Sequence, residues 1–106
     1  MSGMYKLTVF IPKDAKETVK KAMFLAGGGR IGNYDCCAFE LEGIGQFKPL
    51  QGSRPFIGEL DLIEQVSEVR VEMVVAKEYI RDVVSAMKTA HPYETPAYDV
   101  IALEDF

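Results

Sequence analysis

The segment His91-Pro-Tyr-Glu94 holds the densest set of side chains that could do chemistry. His91 is the only histidine of the chain, and imidazole and carboxylate groups are both common metal ligands. The neighbouring prolines restrict the backbone, so the side chains of His91, Tyr93 and Glu94 are predicted to be displayed with little freedom. His91 and Glu94 could therefore contribute two ligands to a divalent metal or polarise a small ligand.

A structural role for the same residues is the alternative. His91 would then cap the last carbonyls of a helix, whose C-terminus favours the protonated imidazole, while Tyr93 or Glu94 would bond to neighbouring strands. One histidine and one carboxylate do not complete a zinc site. Further ligands would have to come from another subunit or from Glu68, Glu72 and Asp99.

The glycine-rich segment Gly27–Gly32 matches the letters G-x-G-x-x-G. In a dinucleotide-binding fold these glycines follow a strand and open a helix, whereas here they follow a helical pattern and lead into a strand. The segment therefore predicts a loop with glycines at positive φ. The alternative is an anion-binding backbone nest in which Arg30 helps to hold a phosphate or carboxylate.

The two cysteines, Cys36 and Cys37, are adjacent. Neighbours on a strand point to opposite faces, so no disulfide is expected between them. We expect two reduced thiols with at least one in the core. A cysteine nucleophile would have only His91 as its base, and no G-x-S-x-G elbow exists. The sequence therefore favours a non-enzymatic role.

Hydrophobic periodicity predicts the elements that must position these residues. The first helix is predicted to begin at an Asp14 N-cap with Glu17 as its capping-box partner, to expose Lys16, Lys20 and Lys21, and to end at the glycines. The predicted strands are Tyr5–Ile11, Cys37–Leu41, Val66–Val75 and Ala97–Leu103, and the second helix is Lys77–Ala90. The order is that of an α+β, ferredoxin-like (split βαβ) fold with an antiparallel sheet and two helices on one face.

The third strand predicts one buried and one open sheet face. Val69, Val71 and Met73 alternate with Glu68, Arg70 and Glu72, which are predicted to form the open side. Phe10 and Tyr98 are expected near that open face, which a symmetric partner could cover. A long loop or hairpin arm is predicted at about 43–65, with Phe47 and Phe56 among its anchors.

Composition limits the class of protein. The 106 residues are 48% hydrophobic and 26% charged, with a net charge of −4, which is typical of a single globular domain spanning 1–106. The acidic balance argues against nucleic-acid binding. No 18-residue apolar run exists, which argues against a membrane span. No signal peptide is apparent, so a cytoplasmic location is expected.

The order of several short motifs resembles the YqfO-type domain of the Nif-three family. The motifs are Gly29-Arg-Ile-Gly-Asn-Tyr34, Cys37-Ala-Phe39, Glu42-Gly43, Gly45-Gln-Phe47, Ile57-Gly58, Val66–Glu72, His91–Glu94 and Pro96–Asp99. The resemblance covers roughly residues 5 to 103. One departure is Cys36, where the family often has a histidine that could bind metal.

The resemblance implies a CutA-like or PII-like fold. Such domains often assemble as trimers and act as sensors with ligands at subunit clefts. In longer family members the domain is similar to an insertion in a dimetal-binding core, whose histidine-rich motifs are not found in these residues. The cofactor is not identified by the resemblance, although a divalent metal is compatible with it.

The candidate residues combine into one main hypothesis, a regulatory module that acts as a homo-oligomer (a trimer favoured over a dimer) and binds a small anion, nucleotide or metal. The ligand-binding candidates are Arg30, Asn33, Tyr34, His91, Tyr93, Glu94 and Tyr98, the metal-binding candidates are His91 and Glu94, and the structural glycines are Gly29, Gly32, Gly43, Gly45 and Gly58. The alternatives are a protein-interaction module that uses the arm and, less favoured, a metal-dependent hydrolase.

Overall fold

The computed structural model of the chain describes residues 3–106 as a four-stranded sheet with two α-helices. Its elements are β1 (Met4–Pro12), a 3-10 turn (Lys13–Ala15), α1 (Lys16–Leu25), β2 (Phe39–Phe47), β3 (Glu64–Ala76), α2 (Ile80–Ala90) and β4 (Tyr98–Ala102). The strand order is β2-β3-β1-β4, and every neighbouring pair is antiparallel. The predicted α+β fold and its order of elements are confirmed.

The core lies between the helices and one face of the sheet. Alternate residues of β1 and β3 point to this face, and the helices add residues at helical spacing. The fully buried members are Leu7, Val9, Ile11, Val19, Met23, Val69, Val71, Val75, Val83 and Met87. Each such side chain contributes roughly 1.5–3 kcal/mol when it leaves water, so this cluster fixes the helices on the sheet.

The start of each helix differs from its prediction. Asp14 lies inside the 3-10 turn, α1 begins at Lys16, and its N-cap Ala15 makes no side-chain capping bond. The Asp14–Glu17 capping box is therefore wrong, because a tight turn directly after Pro12 moves the helix start. The second helix begins at Ile80, since residues 77–79 form a turn in which the Tyr79 N–H donates to the Ala76 carbonyl.

The second strand begins later and is longer than predicted. It runs over Phe39–Phe47 and includes Gly43 and Gly45, which the sequence had placed in the arm. Both glycines lie in the β2–β3 ladder, opposite Glu68 and Val66. Tertiary pairing thus overrides the low strand propensity of glycine. What remains between the two strands is residues 48–63, which we name the long connection.

The two cysteines lie outside the core, contrary to the prediction. Cys36 is exposed, Cys37 is half-exposed, and both are free thiols. Because β2 starts only at Phe39, the pair belongs to the preceding loop, where Cys36 has a φ of +56°. The alternation expected of a strand therefore does not apply to them.

Two of the three lysines expected to face water are instead paired. Lys16 Nζ lies 2.7 Å and Lys20 Nζ 2.9 Å from the carboxylate of Glu40 on β2. The two ammonium groups lower the pKa of Glu40, and the hydrogen bond to Glu40 is the main reason that the pKa of Lys20 is raised. These ion pairs attach α1 to the edge of the sheet, and Lys21 alone is exposed as predicted.

Neither α-helix of the described chain has the length and apolar character needed to cross a membrane.

Candidate functional site

The predicted site residues form two groups at opposite ends of β3. The Gly29 N–H donates to the Val74 carbonyl at 2.8 Å, which fixes the Arg30 loop at one end. The Tyr93 hydroxyl donates to Glu68 at 2.7 Å, which fixes the His91 segment at the other. Six residues of strand separate these anchors by about 20 Å. One copy of the chain therefore does not bring Arg30 and His91 together.

The Arg30 loop displays a cation beside an aromatic ring. The Arg30 guanidinium lies 5.7 Å from the centre of the Tyr79 ring and 3.8 Å from the Asp35 carboxylate. Ile31 and Tyr34 exchange two backbone hydrogen bonds of 2.9 Å, which closes a tight turn around Asn33. Both Asn33 and Tyr34 are exposed, so this loop offers its polar groups to solvent.

His91 is buried and hydrogen-bonded through both ring nitrogens. Nδ1 accepts from the Tyr93 N–H at 3.1 Å, so the neutral ring carries its proton on Nε2, which donates to the Phe10 carbonyl at 2.8 Å. Burial lowers the pKa of His91, although the Phe10 carbonyl and the Glu68 charge favour the cation. The expectation of a protonated imidazole is therefore wrong. The backbone N–H of His91, not its side chain, caps the helix by donating to Met87.

The metal hypothesis for His91 and Glu94 stays a prediction. The Glu94 carboxylate accepts the Arg54 N–H at 3.0 Å, and a metal at His91 would require that one ring nitrogen give up its backbone partner. Across residues 3–106, no group of three His, Cys, Asp or Glu side chains could hold a metal ion.

Tyr93 connects the His91 segment to both β2 and β3. Its ring lies edge-on to Phe47 at a centroid distance of 5.7 Å and tilted against Phe56 at 6.5 Å. Burial raises the pKa of Tyr93 above its ordinary value, and the hydrogen bond to Glu68 raises it further. The phenol is therefore a stable donor at neutral pH.

A cavity of about 340 Å³ opens between this segment and the long connection. Its lining is mainly apolar and aromatic, and includes Phe47, Lys48, Leu50, Phe56, Tyr93 and Glu94. The Arg54–Glu94 and Tyr93–Glu68 hydrogen bonds hold its two sides together. From the sequence, Phe47 and Phe56 are predicted only to anchor the arm. No pattern along the chain indicates that they contact a tyrosine more than 35 positions later.

The five predicted structural glycines fall into different classes. Gly29, Gly32 and Gly58 have positive φ, and a Cβ on Gly29 would lie 2.9 Å from the Cys37 carbonyl oxygen. A Cβ on Gly45 would overlap the carboxylate of Glu68. Gly43 has neither constraint. Gly45 thus leaves the space in which Glu68 reaches Tyr93.

Tyr98 belongs to neither group. It pairs with Val9, whose side chain points into the core, so Tyr98 lies on the helix side of the sheet. There the Lys88 ammonium lies 5.1 Å from the centre of its ring. The expectation that Tyr98 is near the open face is wrong, whereas Phe10 does line a groove on that face with Leu41 and Arg70.

The comparisons with known proteins agree with this fold. A "GTP cyclohydrolase 1 type 2 homolog" of Bacillus subtilis (strain 168) is 50% identical over 99 residues, which are 93% of this chain and 26% of that protein. A Bacillus cereus protein related to NIF3 superposes with a TM-score of 0.82 at 44% identity, over 96% of this chain and 26% of that one. The resemblance to the Nif-three family is confirmed.

This chain spans about a quarter of the length of those relatives. CutA from Xylella fastidiosa superposes with a TM-score of 0.70 at 14% identity, over 99% of this chain and 88% of that one. That similarity confirms the CutA-like fold alone. No family model matches the sequence.

Proposed function

We propose that this chain is a ligand-binding regulatory module, and that its ligand occupies the cavity between the long connection and the His91 segment. The aromatic wall formed by Phe47, Phe56 and Tyr93 carries this proposal. A wall of this kind suits a planar ring, and the Lys48 side chain at the same cavity suits an anionic group. A nucleotide has both features.

The cavity is held open before any ligand arrives. The Glu94 carboxylate accepts the Arg54 N–H from the long connection, and the Tyr93 hydroxyl is held by Glu68. A preformed site avoids the entropy cost of ordering two loops on binding.

Titration of the chain with AMP, ATP and GTP, followed by calorimetry, tests the proposal. We expect saturable binding that weakens at least about tenfold in Phe56→Ala, because the ring that it removes lines the cavity. Phe106→Ala is the matched control, since it removes an exposed aromatic ring that does not line the cavity. The proposal fails if no nucleotide binds or if both variants bind equally well.

We further propose that the module acts as a homo-oligomer, with a trimer favoured over a dimer. The open sheet face supports this, because Phe39, Leu41 and Ile101 are 62%, 47% and 52% exposed there beside alternating charges. In such an oligomer, the Arg30 loop of one copy could complete the cavity of another, which a single copy does not allow.

Native mass spectrometry of the purified chain tests the assembly. Leu41→Arg is expected to reduce the mass to that of one copy, because it places a charge within the covered face. Leu25→Arg is the matched control, since Leu25 is 77% exposed at the end of α1. A single-copy mass for the unaltered chain would contradict this part of the proposal.

A protein-interaction module is the second candidate. Leu60, Leu62 and Ile63 are close together along the long connection, and each is at least half exposed. If they bind a protein, the double variant Leu60→Ser, Leu62→Ser should lose that partner while nucleotide binding at the cavity is unchanged. A partner retained by the folded double variant would contradict this candidate.

A further inference from the structure

Cys36 and Cys37 are a pair of soft ligands that neither the core nor the aromatic cavity uses. Both are free thiols, Cys36 exposed and Cys37 half-exposed. Neighbouring Cα atoms lie about 3.8 Å apart, so two adjacent thiolates can reach one metal ion. Thiolates bind soft ions in preference to hard ones such as Mg²⁺ and Ca²⁺. A ligand of this pair would therefore be a thiophilic ion.

The backbone at Cys36 permits both sulfur atoms to lie on one side of the loop. In an extended strand, two successive side chains point to opposite faces. Cys36 instead has a φ of +56°, in the left-handed region, which is uncommon for a residue other than glycine. Its N–H donates to the Asp35 carboxylate at 2.7 Å, which stabilises this conformation. The usual alternation is thus interrupted between the two cysteines.

The backbone of Cys37 is attached to the end of the sheet by two consecutive hydrogen bonds. The Cys37 N–H donates to the Gly29 carbonyl at 2.8 Å, and the Gly29 N–H donates to the Val74 carbonyl of β3 at 2.8 Å. The contact is close, since a Cβ on Gly29 would lie 2.9 Å from the Cys37 carbonyl oxygen. Cys37 is therefore held in place before any ligand binds, which reduces the entropy cost of binding.

A third sulfur atom lies below the same loop. A cavity of about 270 Å³ is lined by both Cys37 and Met73, and Met73 is only 3% exposed. A Cβ on Gly28 would lie 2.7 Å from the Met73 Sδ, which places this sulfur beneath the glycine turn to which Cys37 is bonded. Lys6 and Glu72 also line the cavity, but they pair with each other at 3.4 Å. The Met73 thioether is thus a neutral soft ligand beside Cys37.

We propose that Cys36 and Cys37 bind a single Cu(I) ion as thiolates, with the Met73 thioether as a third ligand. The two thiols release their protons to solvent on binding, and the copper stays monovalent throughout. The site is complete within one copy of the chain, so it does not depend on the state of assembly.

The number and kind of the ligands select this ion. Zinc in structural sites takes four ligands, and across residues 3–106 no group of three His, Cys, Asp or Glu side chains could hold a metal ion. Cu(I) is a closed-shell ion that accepts low coordination numbers and prefers thiolate and thioether sulfur. Two adjacent cysteines and one methionine therefore suit Cu(I) and leave zinc without enough ligands.

Titration of the reduced full chain with Cu(I), without oxygen and in competition with the chelator bicinchoninate, tests the proposal. We expect one ion per chain, and X-ray absorption at the copper edge should show sulfur as the only type of ligand. An excess of Zn²⁺ should not displace the bound Cu(I), because the site lacks the further ligands that zinc needs.

Three variants separate the contributions of the sulfur atoms. Cys36→Ser and Cys37→Ser should each weaken Cu(I) binding at least about tenfold, because a thiolate is lost. Met73→Leu, which conserves volume, should weaken binding by about threefold or more, whereas Met87→Leu at another buried core methionine should not. If Met73→Leu fails to fold, the number of sulfur ligands in the X-ray absorption of the unaltered chain decides the role of Met73.

Three results would overturn the proposal. They are loss of all Cu(I) to bicinchoninate, equal retention by the unaltered chain and Cys36→Ser, and one ion per two chains, which would mean that the ion joins cysteines of two copies. Failure here leaves nucleotide binding at the aromatic cavity unaffected, because the two cavities share no lining residue.

Discussion

β2 and β4 form the two edges of one sheet, yet their surroundings differ. On the helix side, β2 presents Glu40 to Lys16 and Lys20, so its charges are neutralised within the chain. β4 presents Tyr98 and Val100 beside Arg81 and Lys88 of α2, which form no ion pair within residues 3–106. Edge strands in natural proteins are usually protected by charges, prolines or bulges. The difference indicates that charge pairs attach α1 to the β2 edge, whereas no such pair joins α2 to the β4 edge within residues 3–106.

The segment that leads into β4 depends on one buried histidine. His91→Ala removes the partner of both the Phe10 carbonyl and the Tyr93 N–H. We expect the free energy of unfolding to fall by about 2–3 kcal/mol, because two half-buried backbone groups lose their hydrogen bonds. Urea unfolding measures this loss, and Tyr34→Ala should change the same quantity by less than about 0.5 kcal/mol. A loss no larger than that of the control would contradict the role of His91.

The hydrogen bond between Glu68 and Tyr93 should be sensitive to a methyl group added at Gly45 on the neighbouring strand β2. Gly45→Ala would place a Cβ on the Glu68 carboxylate and displace it from the Tyr93 hydroxyl. We expect a loss of about 1–1.5 kcal/mol in the free energy of unfolding. In a Tyr93→Phe background the same substitution should cost less, since that hydrogen bond is already absent. Equal costs in the two backgrounds would show that Glu68 and Tyr93 are not coupled.

The stability of the β4 side should depend on pH. Burial lowers the pKa of His91 below its ordinary value of 6.5, so the unfolded chain binds a proton at a higher pH than the folded chain. The stabilising contribution is complete above about pH 6.5 and decreases as the pH falls toward the lowered pKa of the folded state. Unfolding measured from pH 7.5 to 5.5 should show this decline, and His91→Gln should flatten it. His91 is the only histidine, so an unchanged slope would contradict the assignment.

Removal of the β2 charge cluster should have a moderate effect that depends on salt. Glu40→Gln leaves Lys16 and Lys20 without their shared carboxylate. We expect a loss of about 0.5–1 kcal/mol at low salt, because the cluster is partly exposed and solvent weakens each pair. Differential scanning calorimetry at 20 and 500 mM NaCl should show a smaller difference at the higher concentration. A difference that does not change with salt would mean that packing, not charge, attaches α1 to β2.

The matching change at the β4 edge should have the smallest effect. The double variant Lys77→Gln, Arg81→Gln removes two cations that have no carboxylate partner among residues 3–106. We expect the melting temperature to change by no more than about 2 °C, because surface groups without partners contribute little to stability. A decrease as large as that of Glu40→Gln would remove the contrast between the two edges.

Elements with strong alternation were predictable because their physical signal is local. In β3, Val69, Val71 and Met73 alternate with charged residues, and the pattern predicted which face is buried. The start of α1 was not predictable in this way, since the Asp14–Glu17 pattern fits a capping box and a 3-10 turn equally well. Gly43 and Gly45 were placed in a loop or hairpin arm and not in β2, because glycine propensity carries no information about the strand opposite.

The candidate site was predictable only in part. His91, Tyr93 and Glu94 were identified from residue type and from the restraint that the prolines impose. Their partners Glu68 and Arg54 lie 25 and 40 positions away from Tyr93 and Glu94, and no pattern along the chain joins such residues. Arg30 and His91, both ligand-binding candidates, lie apart within one copy because they are attached to different ends of β3, so a site that contains both stays a prediction about the oligomer.

The order of elements, the buried side of each and the family resemblance are readable from the amino-acid sequence, because these depend on residues close together along the chain. Three features follow from packing between distant segments: Glu40 binds two lysines, burial lowers the pKa of His91, and Phe56 and Tyr93 share a cavity. Each of these depends on a distance between residues far apart in sequence, and on the loss of water around them. Burial and long-range pairing set the charge state of a side chain, and neither is encoded in its local neighbours.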